Sequence, residues 1–210
     1  KQLMHEVSRN VHKHIDSYLS SPRDIVSINH LLIKQGKLNI RNTKQIKEHL
    51  WGQINMFSSI ESIIFATNQE FYAYKRELLK TNLSVGSMNW LELQPSYKFQ
   101  RRDYLVNEKG DETKLLAKLP YTPSGSAWYL QAQTTKRQIW SPIFPWKPSS
   151  EFGLLSVSPV YNGQDKLQGV LASGIPLSNL NVHLKSLPFS QIGKIFIMES
   201  NGKMIASSLG

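Results

Sequence analysis

The sequence predicts an α+β fold, in which a long N-terminal helix precedes an antiparallel sheet flanked by helices. Apolar residues recur every four positions between residues 3 and 19, the spacing of a helix with one buried stripe. Beyond residue 58, short apolar runs are separated by tight turns that contain Gly or Asn. Such turns join antiparallel strands, whereas a parallel sheet would need a helix between successive strands.

Three helical segments are expected in the first 57 residues. The first ends where Ser20-Ser21-Pro22 interrupts the apolar stripe, because an internal Pro removes a backbone donor. Ser21 is the expected cap of the second segment, which runs to about Gly36. The third opens at Asn42-Thr43. Its inward-facing residues are Ile46, Leu50, Ile54 and Phe57.

The rest of the chain is expected to form hairpins and two shorter helices. Paired strands are predicted at 60–65 and 71–74, 103–107 and 113–119, 153–161 and 167–175, and 192–199 and 203–207. The turn signals at Asn162-Gly163 and Asn201-Gly202 support the last two hairpins. A short helix is expected over Gly125–Gln133, and Ser178 is the expected cap of another. Residues 75–99 show no pattern and are expected to be irregular.

Composition limits the classes of function. The 210 residues include 25 Lys and Arg against 15 Asp and Glu, which gives a net charge of +10, and no Cys. Disulfides and thiolate metal sites are therefore excluded. A basic balance favours acidic partners, yet no run of five like charges occurs, so nucleic-acid binding is not expected. No apolar run of about 18 residues is present. The chain begins and ends in mid-pattern, and we expect it to be part of a longer protein.

No catalytic or metal-binding motif is visible. The six His residues lack metal-ligand spacing, and no Gly-rich phosphate loop or Gly-x-Ser-x-Gly motif occurs. The carboxylates between Asp103 and Glu112 surround a predicted hairpin tip, where they would be solvated rather than form an acid–base pair. We therefore expect neither catalysis nor a metal or cofactor.

The most informative segment runs from Tyr121 to Trp146. It contains three of the five Trp residues, Trp128, Trp140 and Trp146, and is broken by several Pro residues that prevent one long helix. Aromatic side chains on rigid, irregular backbone can line a small-molecule pocket. They can equally form core beneath a long loop, and composition alone favours the core.

An ordered set of short motifs from about Ser58 onward resembles the double Cache family, the PAS-like extracytoplasmic sensors of bacterial receptors. The motifs are Ala-Trp128-Tyr129-Leu-Gln-Ala132, Trp140-Ser-Pro-Ile-Phe144, Ser156-Val-Ser-Pro159-Val-Tyr161, Gly169-Val-Leu-Ala-Ser-Gly-Ile175-Pro-Leu177 and the hairpin around Gly202. The resemblance implies an N-terminal helical region (1–57), a membrane-distal PAS-like sensor module (58–189) and the beginning of a second, membrane-proximal module (190–210).

The resemblance also implies a biological setting. Such a module is the periplasmic or extracellular portion of an inner-membrane or plasma-membrane receptor, anchored through flanking transmembrane helices. The output would be a histidine kinase, cyclase or chemoreceptor signalling domain, and two copies could pair through the N-terminal helix. The alternative is an interaction domain that binds acidic envelope polymers through its basic surface.

The resemblance places the ligand-binding residues of the sensor module. They are Tyr121, Ser126, Trp128, Tyr129, Trp140, Phe144, Ser173 and Gly174. Amino-acid-binding members carry Arg and Asp where this chain has Ser126 and Gly174. A buried ligand charge would lack its partner there. We therefore expect a neutral or weakly polar ligand, or none, rather than a free α-amino acid bound in that way.

Overall fold

The computed structural model describes residues 2–78, 85–145, 152–188, 193–199 and 202–209. Two helical layers enclose a nine-stranded antiparallel sheet. The helices are α1 (Gln2–Lys34), α2 (Thr43–Met56), α3 (Ala127–Thr135) and α4 (Leu177–Ser186). The expected α+β class is confirmed.

The main sheet has the strand order β5-β4-β3-β2-β1-β9-β8-β6, with β7 also paired to β8. Its strands are β1 (Ser62–Ala66), β2 (Phe71–Leu78), β3 (Val85–Leu93), β4 (Gln100–Val106), β5 (Glu112–Pro120), β6 (Ile139–Trp140), β7 (Phe144–Pro145), β8 (Phe152–Tyr161) and β9 (Leu167–Pro176). A separate hairpin consists of β10 (Phe196–Met198) and β11 (Met204–Ser207).

Helix α1 is continuous, contrary to the predicted break at Ser20-Ser21-Pro22. Pro22 lies inside the helix and has no N–H to donate to the carbonyl of residue 18. Pro22 is itself buried, and Ile25 and Val26 in the following turn are almost completely buried. Packing against the sheet therefore outweighs the missing hydrogen bond. Ser21 consequently lies within the helix and does not cap it.

The start of α2 is as expected. The backbone N–H of Gln45 donates to Asn42 Oδ1 at 3.1 Å, so Asn42 is the N-cap. Helix α4, by contrast, begins one residue before the predicted cap. Pro176 occupies its N-cap position with extended backbone, and Ser178 lies in the first turn. Pro176 has a fixed φ and no backbone N–H to donate, so the same residue ends β9 and precedes the first turn of α4.

The prediction that residues 75–99 are irregular was wrong for 75–78 and 85–93, which are strands, whereas residues 79–84 lie outside the described part. These strands are the end of β2 and all of β3, whose Trp90 is fully buried. Both faces of β3 are covered: Trp90 packs against Tyr72 and Tyr74, and Leu91 and Leu93 belong to the opposite core. A strand that is buried on both faces lacks apolar–polar alternation, which explains why the pattern was not visible.

Alternation along the strands divides the core in two. One face packs against α1 and α2 through Ile25, Ile46, Leu50, Ile63, Phe65, Trp90 and neighbouring residues, and we call it the α1 face. The other packs against α3 through Ile64, Phe71, Leu91, Trp128, Val157 and neighbouring residues, and we call it the α3 face. The N-terminal helices therefore share one core with the sheet.

A third cluster joins the end of the described chain to α1. Leu180 and Leu184 of α4 pack with Ala206 of β11, and Val11 and Ile15 of α1 contact them. The β10–β11 hairpin turns at Gly202, which has a left-handed φ of 84°. Its strands are shorter than predicted, and residues 189–192 and 200–201 lie outside the described part. Among the helices of that part, none combines the length and the apolarity needed to cross a membrane.

Candidate functional site

The α3 face offers an apolar floor with small side chains at its centre. Strand register places Ile64 of β1 between Ala73 of β2 and Ala172 of β9. The same row continues to Leu91 on one side and to Val157 on the other. All of these residues are buried. The two Ala side chains that flank Ile64 are the smallest in this row.

Helix α3 packs Trp128 and Tyr129 onto this floor. Trp128 is 4% exposed and Tyr129 3%, and their rings meet edge to face with centroids 5.7 Å apart. Both belong to the apolar cluster of the α3 face. These two rings therefore form part of the core under the Tyr121–Trp146 segment. Trp146 itself lies outside the described residues.

Tyr121 and Ser126 lie together at the start of α3. The Tyr121 ring meets Phe71 edge-on with centroids 5.0 Å apart, and its hydroxyl lies 3.3 Å from Ser126 Oγ. Ser126 is the N-cap residue of α3, but its side chain makes no capping bond, which leaves the hydroxyl to Tyr121. Burial raises the pKa of the Tyr121 phenol, and the contact with Ser126 partly opposes this shift.

Strands β6 and β7 place Trp140 and Phe144 differently. Ile139 pairs with Val157 and packs into the α3-face cluster, so Trp140, which pairs with Ser156, is on the α1 face. Phe144 packs against the α3-face cluster. Only one of these two predicted site residues therefore shares a face with Trp128.

Ser173 and Gly174 are adjacent on β9 and consequently face opposite ways. Gly174 is in register with Ser62 and Leu155, which places it on the α3 face. Ser173 lies opposite Ile63 of the α1-face core and is completely buried. The structure thus places six of the predicted residues on or beside the α3 face: Tyr121, Ser126, Trp128, Tyr129, Phe144 and Gly174. It places Trp140 and Ser173 on the other face.

Two charged residues of the α3 face were not among the predicted site residues. Arg101 Nε donates to Asp103 Oδ1 and Nη2 donates to Oδ2, each at 2.7 Å. Arg101 is 8% exposed and Asp103 9%. The guanidinium carbon lies 5.1 Å from the centroid of the Tyr121 ring and 5.8 Å from that of Phe71. The signal available in the sequence was an Arg and an Asp two positions apart on a predicted strand.

The row of the sheet that contains Gly174 also carries charge. Lys75 pairs in register with Ser62, the neighbour of Gly174. Its Nζ lies 3.7 Å from a carboxylate oxygen of Glu61 and 3.1 Å from one of Glu77. A lysine held by two carboxylates therefore lies two strands from the position where amino-acid-binding members of the resembled family carry Asp.

An open cleft of about 470 Å³ lies at the turn end of the sheet. It lies between the β1–β2 and β8–β9 turns, and its charged lining residues are Arg41, Glu70 and Lys166. None of the eight predicted site residues lines it. Within the described ranges, no group of three or more His, Asp or Glu side chains is placed to hold a metal ion.

No protein-family model matches the sequence, and no curated protein matches it. Solved structures do. The ligand-binding domain of the Pseudomonas aeruginosa amino acid chemoreceptor PctC, in complex with GABA, has a TM-score of 0.60 and 19% identity over 98% of this chain and 73% of that one. The Mlp24 ligand-binding domain with asparagine has a TM-score of 0.57 and 17% identity, covering 98% and 69%.

The extracellular domain of mmHK1S-Z3, assigned as a histidine kinase, has a TM-score of 0.61 with 9% identity and covers 98% of this chain and 71% of its own. At these identities the likeness establishes the fold. The chain therefore has the fold of chemoreceptor ligand-binding domains and of a histidine kinase extracellular domain, in agreement with the predicted long N-terminal helix and antiparallel sheet flanked by helices.

Proposed function

We propose that this chain is the extracytoplasmic small-ligand-sensing domain of a bacterial transmembrane receptor. The observation that carries the proposal is the match of 98% of the chain to ligand-binding domains, two of which hold GABA or asparagine. The domain itself binds and does not catalyse. Its place is the periplasm or the cell exterior, and flanking transmembrane helices connect it to a cytoplasmic kinase, cyclase or chemoreceptor output.

The proposed ligand site is on the α3 face, around Trp128 and Tyr129. Tyr121 and Ser126 supply two hydroxyls beside these rings, Phe144 packs against the same apolar cluster, and Gly174 lies on the same face of the sheet. An apolar wall with a few polar groups is the usual composition of small-molecule sites. Because Ser126 and Gly174 are uncharged, a free α-amino acid is not held here by an Arg at 126 and an Asp at 174.

The proposed route of the signal is α1. Tyr18 of α1 packs against both the α1-face core and the α4–β11 cluster, so one helix contacts the sheet and the hairpin that we propose begins a second module at residues 190–210. Ligand binding would shift a pre-existing equilibrium between two packings of these parts. Ile28 and Leu31 are 43% and 52% exposed on α1 and fit pairing with the same helix of a second copy.

A thermal-shift screen with a panel of small metabolites tests the proposal. A bound ligand raises the melting temperature by linkage, so at least one metabolite should give a concentration-dependent increase. A flat response, together with salt-sensitive binding to polyphosphate, would instead favour the interaction domain that uses the net charge of +10.

A further inference from the structure

The Arg101–Asp103 pair is buried on a face that is otherwise largely apolar. The two residues lie two positions apart on β4, so both side chains leave the strand on the same side. Asp103 is in register with Leu91, and Leu91 with Ala73, which places Asp103 in the row of the apolar floor and Arg101 two residues away along β4. Its neighbours Tyr121 and Phe71 belong to the proposed site or pack against it.

A buried ion pair generally adds little to the stability of a fold. Removing two charges from water is costly, and replacing a buried ion pair with apolar residues of similar volume is often neutral or stabilising. The side chains of Arg101 and Asp103 are only 10% and 12% exposed. A buried ion pair at this position is therefore better explained by a role in binding than by a contribution to stability.

The guanidinium keeps donors that Asp103 does not use. Arg has five N–H groups, and the contact with Asp103 takes one from Nε and one from Nη2. The described part of the chain offers no acceptor to Nη1. Lys75, a second cation on the α3 face, is held by two carboxylates, whereas Arg101 is held by one.

The surroundings of Arg101 fix its orientation. Asp103 holds one edge of the guanidinium, and the rings of Tyr121 and Phe71 lie within 5.8 Å of its central carbon. The Tyr121 hydroxyl contacts Ser126 Oγ, so the ring next to Arg101 carries one hydroxyl and lies beside a second. A planar, immobilised guanidinium with free donors is suited to a carboxylate, whose two oxygens match its geometry.

We propose that Arg101 is the carboxylate-binding residue of the ligand site and that the ligand is a small organic carboxylate. The inference rests on the proposed sensing function and names the ligand class. The carboxylate accepts from the Nη1 side of Arg101, and Asp103 positions the guanidinium. Arg101 on β4 would supply the positive charge that Ser126 does not, so the proposal replaces the neutral or weakly polar ligand expected from Ser126 and Gly174 with a carboxylate.

The experiment uses matched probes. Monocarboxylates from formate to hexanoate, 4-aminobutyrate and the twenty standard amino acids are each compared with the corresponding carboxamide by thermal shift, and positive probes are then titrated by calorimetry. We expect at least one carboxylate to raise the melting temperature while its carboxamide does not. The double variant Arg101→Met/Asp103→Leu should lose that response and keep its unliganded melting temperature.

Arg102→Gln is the matched control, because Arg102 lies on the same strand but over the Tyr97 ring, 3.7 Å from its centroid, next to Glu92 on the opposite face. It should bind like the unmodified chain. If the double variant does not fold, Arg101→Lys replaces it; the charge remains but the planar fork is lost, and Kd should rise about tenfold or more.

Three results would overturn the inference. In the first, a carboxylate binds the Arg101 variant as tightly as the unmodified chain. In the second, only carboxamides or other uncharged metabolites raise the melting temperature, which leaves the sensing function intact and removes Arg101 from it. In the third, none of the metabolites binds, and the proposed function fails as well.

Discussion

The carbonyl oxygen of Ala66 lies 2.6 Å from the point where a Cβ on Gly169 would stand. The Phe65 ring lies 2.8 Å from the same point, so β1 and β9 approach more closely here than any side chain on residue 169 permits. The requirement concerns space alone, because Gly169 is not in the left-handed region. Gly169 lies near the start of β9 and directly precedes Val170, the residue that pairs with Ala66.

Gly169→Ala should therefore destabilise the domain. The added methyl group meets backbone that cannot move independently of the sheet, and we expect a loss of about 1–3 kcal/mol in the free energy of unfolding, measured by urea denaturation. Gly163→Ala is the control, because nothing lies within 4 Å of its Cβ position. Equal stabilities of the two variants would contradict the described approach of β1 and β9.

Trp128→Ala should cost about 3–5 kcal/mol, since the ring is buried in the α3-face core and its removal leaves a large cavity. Trp128→Phe should cost less, because it retains part of the volume. Thermal unfolding of the three proteins measures the difference. A loss below about 1 kcal/mol for the Ala variant would contradict the close packing of this ring against the α3-face cluster.

The parts of the fold that could be predicted are those determined by residues close together in the sequence. Asn42, Gly202 and the turn at Asn162 follow from short-range chemistry, in which a side-chain oxygen or a positive φ fixes one turn. Helix α1 and strand β3 depend on tertiary contacts instead. Burial of Ile25 and Val26 carries the helix through Pro22, and burial on both faces of β3 removes its periodicity.

The candidate site shows the same division. The motif around Trp128 and Tyr129 could be read from the sequence, and both rings lie on the face that the site requires. Strand parity could not be read with equal certainty, because a shift of one residue sends a side chain to the other face. Ser173 and Trp140 therefore fall on the α1 face. Arg101 was missed because only strand register places it beside Tyr121.

The Asn42 cap provides a local test of the α2 start. Asn42→Ala removes the acceptor for the Gln45 N–H and should lower the free energy of unfolding by about 1 kcal/mol. Asn42→Asp keeps an acceptor and adds a negative charge at the helix N-terminus, so its stability should equal or exceed that of the unmodified chain. Chemical denaturation measures both variants, and a destabilised Asp variant would contradict the assignment.

We expect His49 to make the stability of the domain depend on pH. Its Nε2 lies 2.7 Å from Asn29 Oδ1, and the Asn29 amide donates to Gln53 Oε1 at 2.8 Å, which links α1 to α2. Burial lowers the pKa of His49 below its ordinary value of 6.5. Between pH 6.5 and that lower value, the unfolded chain binds a proton that the folded chain does not. Stability contributed by neutral His49 is therefore complete above pH 6.5 and decreases as pH falls.

His49→Gln should reduce this dependence, because Gln can donate to Asn29 but does not titrate. Urea unfolding of both proteins at pH 7.5, 6.5 and 5.5 gives the comparison, in which the variant should lose less stability below pH 6.5. Burial also lowers the pKa of His30 and His183, so the variant retains part of the dependence. If both proteins lost the same free energy of unfolding between pH 7.5 and 5.5, the result would contradict a lowered pKa of His49 in the folded chain.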